Sequence, residues 1–386
     1  MDKRIWSAAT ALQTRLVEVR QTLHRHPELS LEEHWTTAQI REWLSAAGIP
    51  VLPFDLPTGL IAEVRCAKPG PTVALRADID ALPVQEETGL HYASEIAGRM
   101  HACGHDFHTA VVLGAALVLQ GLKDELAGTV RIFFQPAEEN THGARMLIGA
   151  GAMEGVQAVF GLHNKPDLAA GYVGVKPGPL MASADLIEIT VTGKGGHAAI
   201  PNATIDPVVA GSAIVMALQT AVSRTVSPLE PAVVSVGSFQ AGTAHNVIPS
   251  EALLRGTIRA FSPAVREQLR TLLTRMVREV AAGYGAAAEI RFVEGPPAVT
   301  NDPSMADLVR RSAERLGLPV AEAAQTTGAE DFAEYQQLAP GCFVWLGTGT
   351  AEGWHHPKFM VDESMIHKGS ALFAQVAVDA LASLAR

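Results

Sequence analysis

Six consecutive positions in the first third of the chain hold four side chains that commonly bind metal ions: His101, Cys103, His105 and Asp106. So close together, these groups would repel or dehydrate one another unless they shared a cation. An apolar run at 111–117 indicates a helix directly after them, and the start of a helix would lower the pKa of the Cys103 thiol. A lone cysteine is usually a small buried hydrophobe, but this combination favours half of a metal site.

An acidic pair, Glu138 and Glu139, follows the apolar run 132–134. Two adjacent carboxylates at the end of a buried strand are costly to ionise together without a cation. Because adjacent side chains on an extended backbone point in opposite directions, one carboxylate can hold an ion while the other faces the substrate and takes a proton from water. The alternative is a solvated turn with two exposed glutamates, and the polar residues 140–143 that follow leave it open.

Further polar side chains follow other strand-like runs. Asp78 comes after the run 72–75, His163 comes after 157–161, and His355 lies near the C-terminus. In open α/β sheets, ligands gather beyond the carboxyl ends of the strands, so these clusters can converge on one site. For Asp78 we expect an orienting role, because carboxylates commonly fix a ligating imidazole.

The periodic spacing of apolar residues changes twice along the chain. Residues 1–183 alternate strand-like and helical runs, which is typical of an α/β layered sheet, and 294–386 resume that alternation. Between them, 184–293 predicts the order β-α-β-β-α-β of a ferredoxin-like α+β domain. Its predicted elements are strands at 185–192, 232–239, 253–261 and 288–293 and helices at 207–223 and 263–284. We therefore expect a catalytic domain in two parts with a small inserted domain.

The composition argues against several classes of partner. The 386 residues are 48% hydrophobic and carry a formal net charge of -10, with no basic block that would follow a phosphate backbone, so we expect no nucleic acid. The chain starts with a polar, helix-like stretch and has no apolar window long enough to cross a bilayer, so we expect no membrane association. Three widely spaced cysteines indicate a reducing compartment, and we predict a cytoplasmic protein.

Seven motifs together resemble one family, the amidohydrolases that include hippurate hydrolase, bacterial aminoacylases and plant indole-acetyl-amino-acid hydrolases. They are Leu23–Leu29, Arg76–Pro83, Met100–Asp106, Pro136–Glu139, Leu162–Asn164, Gly193–Ala198 and His245–Pro249. The resemblance runs along nearly the whole chain. It implies a zinc-peptidase-like α/β/α catalytic domain with an inserted ferredoxin-like lid domain that often mediates dimerisation, so we expect a homodimer or a higher homo-oligomer.

The resemblance also implies a site for two divalent metal ions, of Mn, Zn, Co or Ni, with Glu138 as the general base. The implied ligands are Cys103, His105, Glu139, His163 and His355. His355 is favoured over His356 because the family places its histidine two positions before a proline. In the wider peptidase superfamily a ligating histidine stands where this chain has Arg76, and His105 is its implied replacement. His101 and Asp106 then become supporting residues near the ligands or at the helix cap.

The implied substrate is an N-acyl amino acid whose amide bond is cleaved by metal-activated water. His197, on a glycine-rich turn of the lid, would donate a hydrogen bond to the developing oxyanion, from the same subunit or from a partner. Asn246 and Arg259 would bind the carboxylate of the amino acid, since a planar guanidinium suits that geometry.

Three alternatives stay open at this point. The same site could serve a dipeptidase or a carboxypeptidase-like hydrolase. A cysteine amidase would use Cys103 as nucleophile and His105 as base, although two side chains so close in sequence are not expected to face each other. A metal-binding scaffold without turnover would not explain Glu138, which binds no ion in the implied scheme.

Overall fold

The chain leaves its first structural unit near residue 180 and returns to it near residue 300. The computed structural model describes residues 1–385. The first unit comprises 1–180, 300–324 and 331–385, and the second unit comprises Met181–Val299 and Gln325–Glu330. The second unit is thus slightly wider than the predicted insert, 184–293. It also takes in 325–330, which no pattern in the sequence indicates.

Nine α-helices lie within residues 1–385. In chain order they are α1 (Asp2–Arg25), α2 (His34–Ala46), α3 (His105–Leu122), α4 (Gly143–Gly149), α5 (Pro207–Thr225), α6 (Pro263–Gly283), α7 (Pro303–Arg315), α8 (Ala333–Gln336) and α9 (Ile366–Leu384). Short 3-10 helices lie at Lys123–Glu125, Pro201–Ala203 and Glu363–Met365.

The same residues contain fifteen strands. In chain order they are β1 (Leu60–Arg65), β2 (Lys68–Asp78), β3 (Ala127–Gln135), β4 (Val156–Lys165), β5 (Val173–Val175), β6 (Gly178–Met181), β7 (Ser183–Thr192), β8 (Gly196–His197), β9 (Ala232–Ala241), β10 (Val247–Ile248), β11 (Glu251–Ala260), β12 (Ala287–Glu294), β13 (Val299–Asn301), β14 (Val320–Glu322) and β15 (Gly341–Gly347).

The first unit is built on a seven-stranded sheet with the strand order β1-β3-β2-β4-β15-β5-β14. Its centre is parallel, because β2 runs parallel to β3 and β4, and β15 runs parallel to β4. Val73, Ala74 and Leu75 of β2 are all completely buried, as expected for a parallel strand that is covered on both faces. The carboxyl ends of these central strands therefore meet at one edge of the sheet.

Helices α3 and α9 contact each other and β2. Gly114 of α3 permits this close packing, since a Cβ there would lie 2.2 Å from Oγ of Ser370. That hydroxyl in turn donates to the Val111 carbonyl at 2.9 Å. The contact holds α3, whose first turn carries the predicted ligand His105, against α9, and both helices contact β2. The observed elements confirm the predicted α/β class.

The central strands extend further than the sequence predicts. The run 157–161 belongs to β4, which continues to Lys165, so His163 and Asn164 lie inside the strand and not after it. Likewise, Asp78 is the last residue of β2. Polar residues at a strand's end break the apolar pattern, although the backbone there keeps its ladder of hydrogen bonds.

The second unit has a four-stranded antiparallel sheet with the strand order β12-β7-β11-β9. Its main elements follow the chain order β7, α5, β9, β11, α6, β12, which is the predicted ferredoxin-like arrangement, and each bound falls within about two residues of the prediction. The helices start as their sequences suggest: the Asp206 side chain caps α5 by accepting the Val208 N–H at 2.8 Å, and Pro207 occupies the first turn.

Helix α5 is long and apolar enough to cross a membrane by length and composition, with a mean hydropathy of 1.3, and it alone passes that test among residues 1–385. Its residues Ala210, Ile214 and Leu218 pack into the core of the second unit. The expectation that no apolar window is long enough to cross a bilayer is therefore wrong by this criterion, although a single such helix is only weak evidence for a membrane span.

Candidate metal centre

The parallel strands bring the predicted residues to the carboxyl edge of the first unit's sheet. Asp78 ends β2, Glu138 and Glu139 follow β3, and His163 lies near the end of β4. His355 lies in the loop after β15. Four segments that are distant in sequence therefore contribute to one edge.

Cys103 and His105 flank a tight turn at the start of α3. Gly104 between them has a φ of 86°, a left-handed conformation that glycine adopts without strain. A Cβ at this position would lie 2.4 Å from Nδ2 of Asn164, so a larger residue does not fit. The turn directs both flanking side chains inward: Cys103 is 7% exposed and His105 is fully buried.

The ligand atoms of six residues lie in overlapping groups, each within 4.8 Å: Cys103, His105 and His163; Cys103, Glu139 and His355; and His105, Glu138 and Glu139. The structure thus brings the five predicted ligands and the predicted base into one cluster. His356 stands apart, since its Nδ1 accepts a hydrogen bond from the Lys358 N–H at 3.1 Å.

Two buried atoms in this cluster, Nε2 of His105 and Oε1 of Glu139, have no hydrogen-bond partner within the described part of the chain. They lie 3.8 Å apart, and Nε2 of His355 lies 3.6 Å from the same Glu139 oxygen. Both distances exceed a hydrogen bond. Two ligand atoms around a tetrahedral ion, each about 2.1 Å from it, lie about 3.4 Å apart. The donor set and its spacing therefore fit a divalent cation.

The His105 ring is oriented by Asp80, whereas the sequence analysis favours its neighbour Asp78 for this role. Nδ1 of His105 lies 3.1 Å from Oδ1 of Asp80, while Oδ2 of Asp80 accepts the Glu139 N–H at 3.1 Å and the Ser30 hydroxyl at 2.7 Å. Asp78 lies farther off, at 3.8 Å from Nε2 of His105. A carboxylate on one ring nitrogen leaves the other nitrogen facing the cluster, which is a common arrangement for ligating histidines.

The cluster holds more negative than positive charge. Burial alone would lower the pKa of His105, but Asp78, Asp80 and Glu139 raise it to about 10. Burial also raises the pKa of Glu139, and the nearby Asp80 carboxylate adds to that rise. A cation among these groups would relieve the repulsion between the carboxylates.

The expectation that the pKa of the Cys103 thiol is lowered is wrong: the residues around it raise that pKa. Burial, and then the carboxylates of Glu139 and Glu138, hold the pKa of this thiol well above its usual value. The helix start is outweighed because the thiol faces these carboxylates. Sγ of Cys103 does lie 3.3 Å from Nε2 of His163, but burial and the nearby His108 hold the pKa of that imidazole well below normal. A thiolate–imidazolium pair would need both shifts reversed.

The turn that carries the two glutamates is held by Glu33, which no pattern in the sequence indicates. The buried Glu33 carboxylate accepts the Ala137 N–H at 2.8 Å and the Thr58 hydroxyl at 2.8 Å. Ala137 has a φ of 54°, a left-handed conformation that is strained for a residue with a Cβ. In sequence Glu33 resembles any acidic residue at a helix start, so no local signal could have identified it.

Glu138 is 7% exposed, which rules out the solvated turn left open by the sequence. The loop residue His355 is different: its side chain is 55% exposed, and its φ of 65° is also left-handed. Strained backbone of this kind clusters at functional sites, where the surrounding structure maintains it. Two segments of the centre therefore carry conformations that ordinary loops avoid.

The remaining predicted residues, His197, Asn246 and Arg259, lie in the second unit. His197 ends β8, which pairs with β10, and Asn246 directly precedes β10, so the two residues are neighbours. Arg259 belongs to β11 of the four-stranded sheet, where its guanidinium donates to the Thr257 hydroxyl. Strand pairing therefore brings together His197 and Asn246 but not Arg259.

Comparisons with known proteins agree over almost the full length. The chain is 50% identical over 378 residues to "N-acetylcysteine deacetylase" of Bacillus subtilis (strain 168), which covers 98% of this chain and 100% of that protein. It is 39% identical over 372 residues to "Thermostable carboxypeptidase 1" of Saccharolobus solfataricus, with 94% of each chain covered.

A solved structure is also similar throughout. The crystal structure of the Bacillus subtilis YXEP protein, described as a dinuclear metal binding peptidase, matches with a TM-score of 0.89 and 46% identity, over 97% of this chain and 99% of that chain. The family model described as "Peptidase family M20/M25/M40" matches residues 74–379. With its cluster of ligand atoms, its fold and these matches taken together, the chain belongs to peptidase family M20/M25/M40.

Proposed function

We propose that the protein is a metal-dependent amidohydrolase that cleaves N-acyl amino acids into a carboxylic acid and a free amino acid. One observation carries the proposal: buried ligand atoms of His105 and Glu139, which have no hydrogen-bond partner among residues 1–385, lie in one cluster with a second carboxylate, Glu138. A relative at 50% identity is named for the hydrolysis of an N-acetyl amino acid, which supports this substrate class.

Two divalent ions per subunit are the proposed cofactors. Their ligands would be Cys103, His105, Glu139, His163 and His355. The solved structure described as dinuclear supports the number. A thiolate and three imidazoles favour Zn, Co, Ni or Mn over Mg or Ca, because the latter prefer oxygen ligands.

The metal ions would supply Lewis acidity, which polarises the amide carbonyl and makes water easier to deprotonate. Glu138 takes the proton from the attacking water as the new carbon–oxygen bond forms. It then delivers a proton to the amide nitrogen as the carbon–nitrogen bond breaks, so one water is consumed for each bond cleaved.

In this scheme the second unit binds the substrate. His197 donates a hydrogen bond to the oxyanion, and Asn246 and Arg259 bind the carboxylate of the amino acid. Burial lowers the pKa of Arg259, yet a guanidinium remains protonated at neutral pH. Asp78, buried at the end of β2, acts as an orienting residue of the centre.

A carboxypeptidase activity is the second candidate. The relative named a thermostable carboxypeptidase, at 39% identity, favours it. Both reactions break an amide bond next to a free carboxylate, so the same centre serves either one. The two reactions differ in the acyl group, which is a simple carboxylic acid residue in an N-acyl amino acid and an aminoacyl or peptidyl group in a peptide.

The proposed assembly is a homodimer through the second unit. Helix α5 exposes Val208, Val209 and Met216, at 38%, 50% and 71%. Strand β9 forms an edge of the four-stranded sheet, and such edges pair readily with a second copy.

A cytoplasmic location suits Cys103, which must stay reduced to bind an ion. In the described chain Cys66, Cys103 and Cys342 are all free.

A substrate panel tests the proposal. Protein treated with EDTA and then supplied with Mn, Co or Zn should hydrolyse N-acetyl and N-benzoyl amino acids, with no turnover before the metal is added. Turnover that survives complete metal removal would contradict the metal-dependent reaction. Cleavage of dipeptides at a higher kcat/KM than any N-acyl amino acid would favour the carboxypeptidase instead.

A further inference from the structure

A line of hydrogen bonds runs beneath the metal centre through His108, which lies on α3 one turn after His105. Nδ1 of His108 lies 2.6 Å from Oδ1 of Asp78, and Nε2 of His108 lies 2.9 Å from the backbone nitrogen of Asn164. All three side chains are at most 1% exposed. The line therefore joins the ends of β2 and β4 through one imidazole.

The protonation of this imidazole follows from its partners. The backbone N–H of Asn164 can only donate, so Nε2 of His108 must accept and carries no proton. Nδ1 is then the protonated nitrogen and donates to Asp78. A hydrogen atom on Nε2 would face the Asn164 N–H and break the line.

Asn164 forms hydrogen bonds with two proposed ligands, Cys103 and His163, and so links their positions to that of His108. Its side-chain amide donates to the Cys103 carbonyl at 2.6 Å, which holds the turn before α3. Its own carbonyl lies 2.8 Å from Nδ1 of His163, so the His163 proton sits on Nδ1 and Nε2 is turned toward Cys103. The indole N–H of Trp354 also donates to the Asn164 side-chain oxygen, at 3.1 Å.

The far end of the line is equally fixed. Oδ2 of Asp78 accepts from Nη1 of Arg76 at 2.6 Å, and Nη2 of Arg76 donates to Asp331 at 2.9 Å. Arg76 is fully buried. Asp78 therefore has no freedom to rotate away from His108.

His108 could also be viewed as a ligand, because its ring lies in a group of ligand atoms with Asp78 and His105. Its hydrogen bonds argue against this role. Both of its ring nitrogens are engaged at hydrogen-bond distance, whereas Nε2 of His105 has no partner in the described chain. An ion at His108 would have to displace the Asn164 N–H and leave it buried without an acceptor, at a cost of about 1–3 kcal/mol.

We propose that His108 is a positioning residue, whose unprotonated Nε2 holds Asn164 and thereby orients Cys103 and His163 for the metal ions. This inference rests on the proposed function only through the identity of the ligands. Loss of such a supporting contact typically weakens metal affinity about 10- to 100-fold.

Two substitutions distinguish the role of the donor nitrogen Nδ1 of His108 from the role of the acceptor nitrogen Nε2. His108→Asn keeps a donor near Asp78 and removes the acceptor for Asn164, whereas His108→Gln keeps an acceptor near Asn164 and removes the donor. Titrating the EDTA-treated proteins with Co(II) measures their affinity for this ion, and the thiolate-to-cobalt absorption band shows how Cys103 binds it. We expect His108→Asn to bind about 10- to 100-fold more weakly with an altered band, and His108→Gln to stay close to wild type.

Thr109→Val is the matched control. It removes another buried hydrogen bond of the same helix turn, from the Thr109 hydroxyl to the Asp78 carbonyl at 3.1 Å, but leaves His108 in place. It should bind Co(II) as wild type does. The inference is overturned if His108→Asn binds normally, if His108→Gln is equally impaired, or if Thr109→Val shows the same loss.

Should His108→Asn fail to fold, NMR of histidine-labelled wild type answers the same question. The His108 ring should keep its proton on Nδ1 and show no direct bond to an added cadmium ion, while the ligating histidines show one. A direct bond at His108 would overturn the inference. Because these readouts need no substrate, wild type that binds Co(II) yet hydrolyses no amide would refute the proposed function alone.

Discussion

Both structural units bury carboxylates that arginines pair, as Arg76 pairs Asp78 and Asp331 in the first unit, but the first unit also buries ligand atoms that lack a hydrogen-bond partner among the described residues. In the second unit, Asp185 is almost fully buried and is bound by Nε of Arg266 at 3.0 Å and by Nε of Arg270 at 3.1 Å. In the metal centre of the first unit, Glu139 and His105 lie together with atoms that have no hydrogen-bond partner among the described residues. Buried charge that is completely paired indicates a structural role, whereas buried charge that lacks a partner indicates a ligand.

The largest expected effect is at Glu138. Replacing it with Gln keeps the volume but removes the proton acceptor, so kcat should fall by about 10²- to 10⁴-fold while the protein retains its metal. Steady-state kinetics with metal analysis of the same sample checks this. Asp185→Asn, which alters a paired carboxylate of the second unit, is the control and should leave the metal content unchanged. Normal turnover in Glu138→Gln would remove this residue as the base.

Metal binding should stabilise the two units unequally. At a free Zn concentration 100 times Kd, a folded site gains about 2.7 kcal/mol, and this gain should appear in the first unit only. Hydrogen exchange followed by mass spectrometry reads each unit separately, with EDTA-treated protein as the reference. Equal protection of β7 and β11 in the second unit would contradict the assignment of the ligands to the first.

Asp185→Asn should destabilise the second unit by about 2 kcal/mol, because hydrogen bonds to charged groups contribute about 1.5–3 kcal/mol. The two arginines hold the pKa of Asp185 below its usual value, although burial opposes them. The contribution is therefore complete above the unfolded value of about 3.9 and is lost as the pH falls toward the lower folded-state pKa. Urea unfolding at pH 7 and at pH 3 should show a smaller difference between variant and wild type at the lower pH. A pH-independent difference would contradict the pairing.

The smallest expected effect is at Glu33. Glu33→Ala leaves the Ala137 N–H without its acceptor, which should reduce kcat by about tenfold by loosening the turn before Glu138. Glu33→Gln retains an oxygen acceptor and should recover most of the activity. The comparison of kcat for the two variants, at equal metal content, checks this. A loss confined to KM would show that Glu33 acts on the substrate and not on the turn.

The sequence predicts the second unit better than the centre of the first. In the second unit the period of apolar residues changes where the elements change, so each bound is predicted to about two residues. In the first unit, clusters such as Glu138 and Glu139 are visible because chemically unusual residues are adjacent. Glu33 and His108 have no such signal, since their partners lie far away in the chain and only the fold brings them together.

The thiol illustrates the same limit. Its position at a helix start predicts a lowered pKa, and this local argument is correct in isolation. Burial raises the pKa of the thiol most, and the two carboxylates that add to this rise come from a turn more than thirty residues later in the chain. Electrostatic environments depend on the complete set of neighbours, so a rule based on one element fails where several elements meet.

Arg76 has a consequence for how such centres evolve. Its guanidinium lies between Asp78 and Asp331 and also donates to the Gln135 side chain at 2.9 Å. Exchanging it for an uncharged side chain would leave two buried carboxylates without their shared counter-charge. A lineage that replaces Arg76 must therefore also change its carboxylate partners, although Asp331 lies 255 positions away in the sequence.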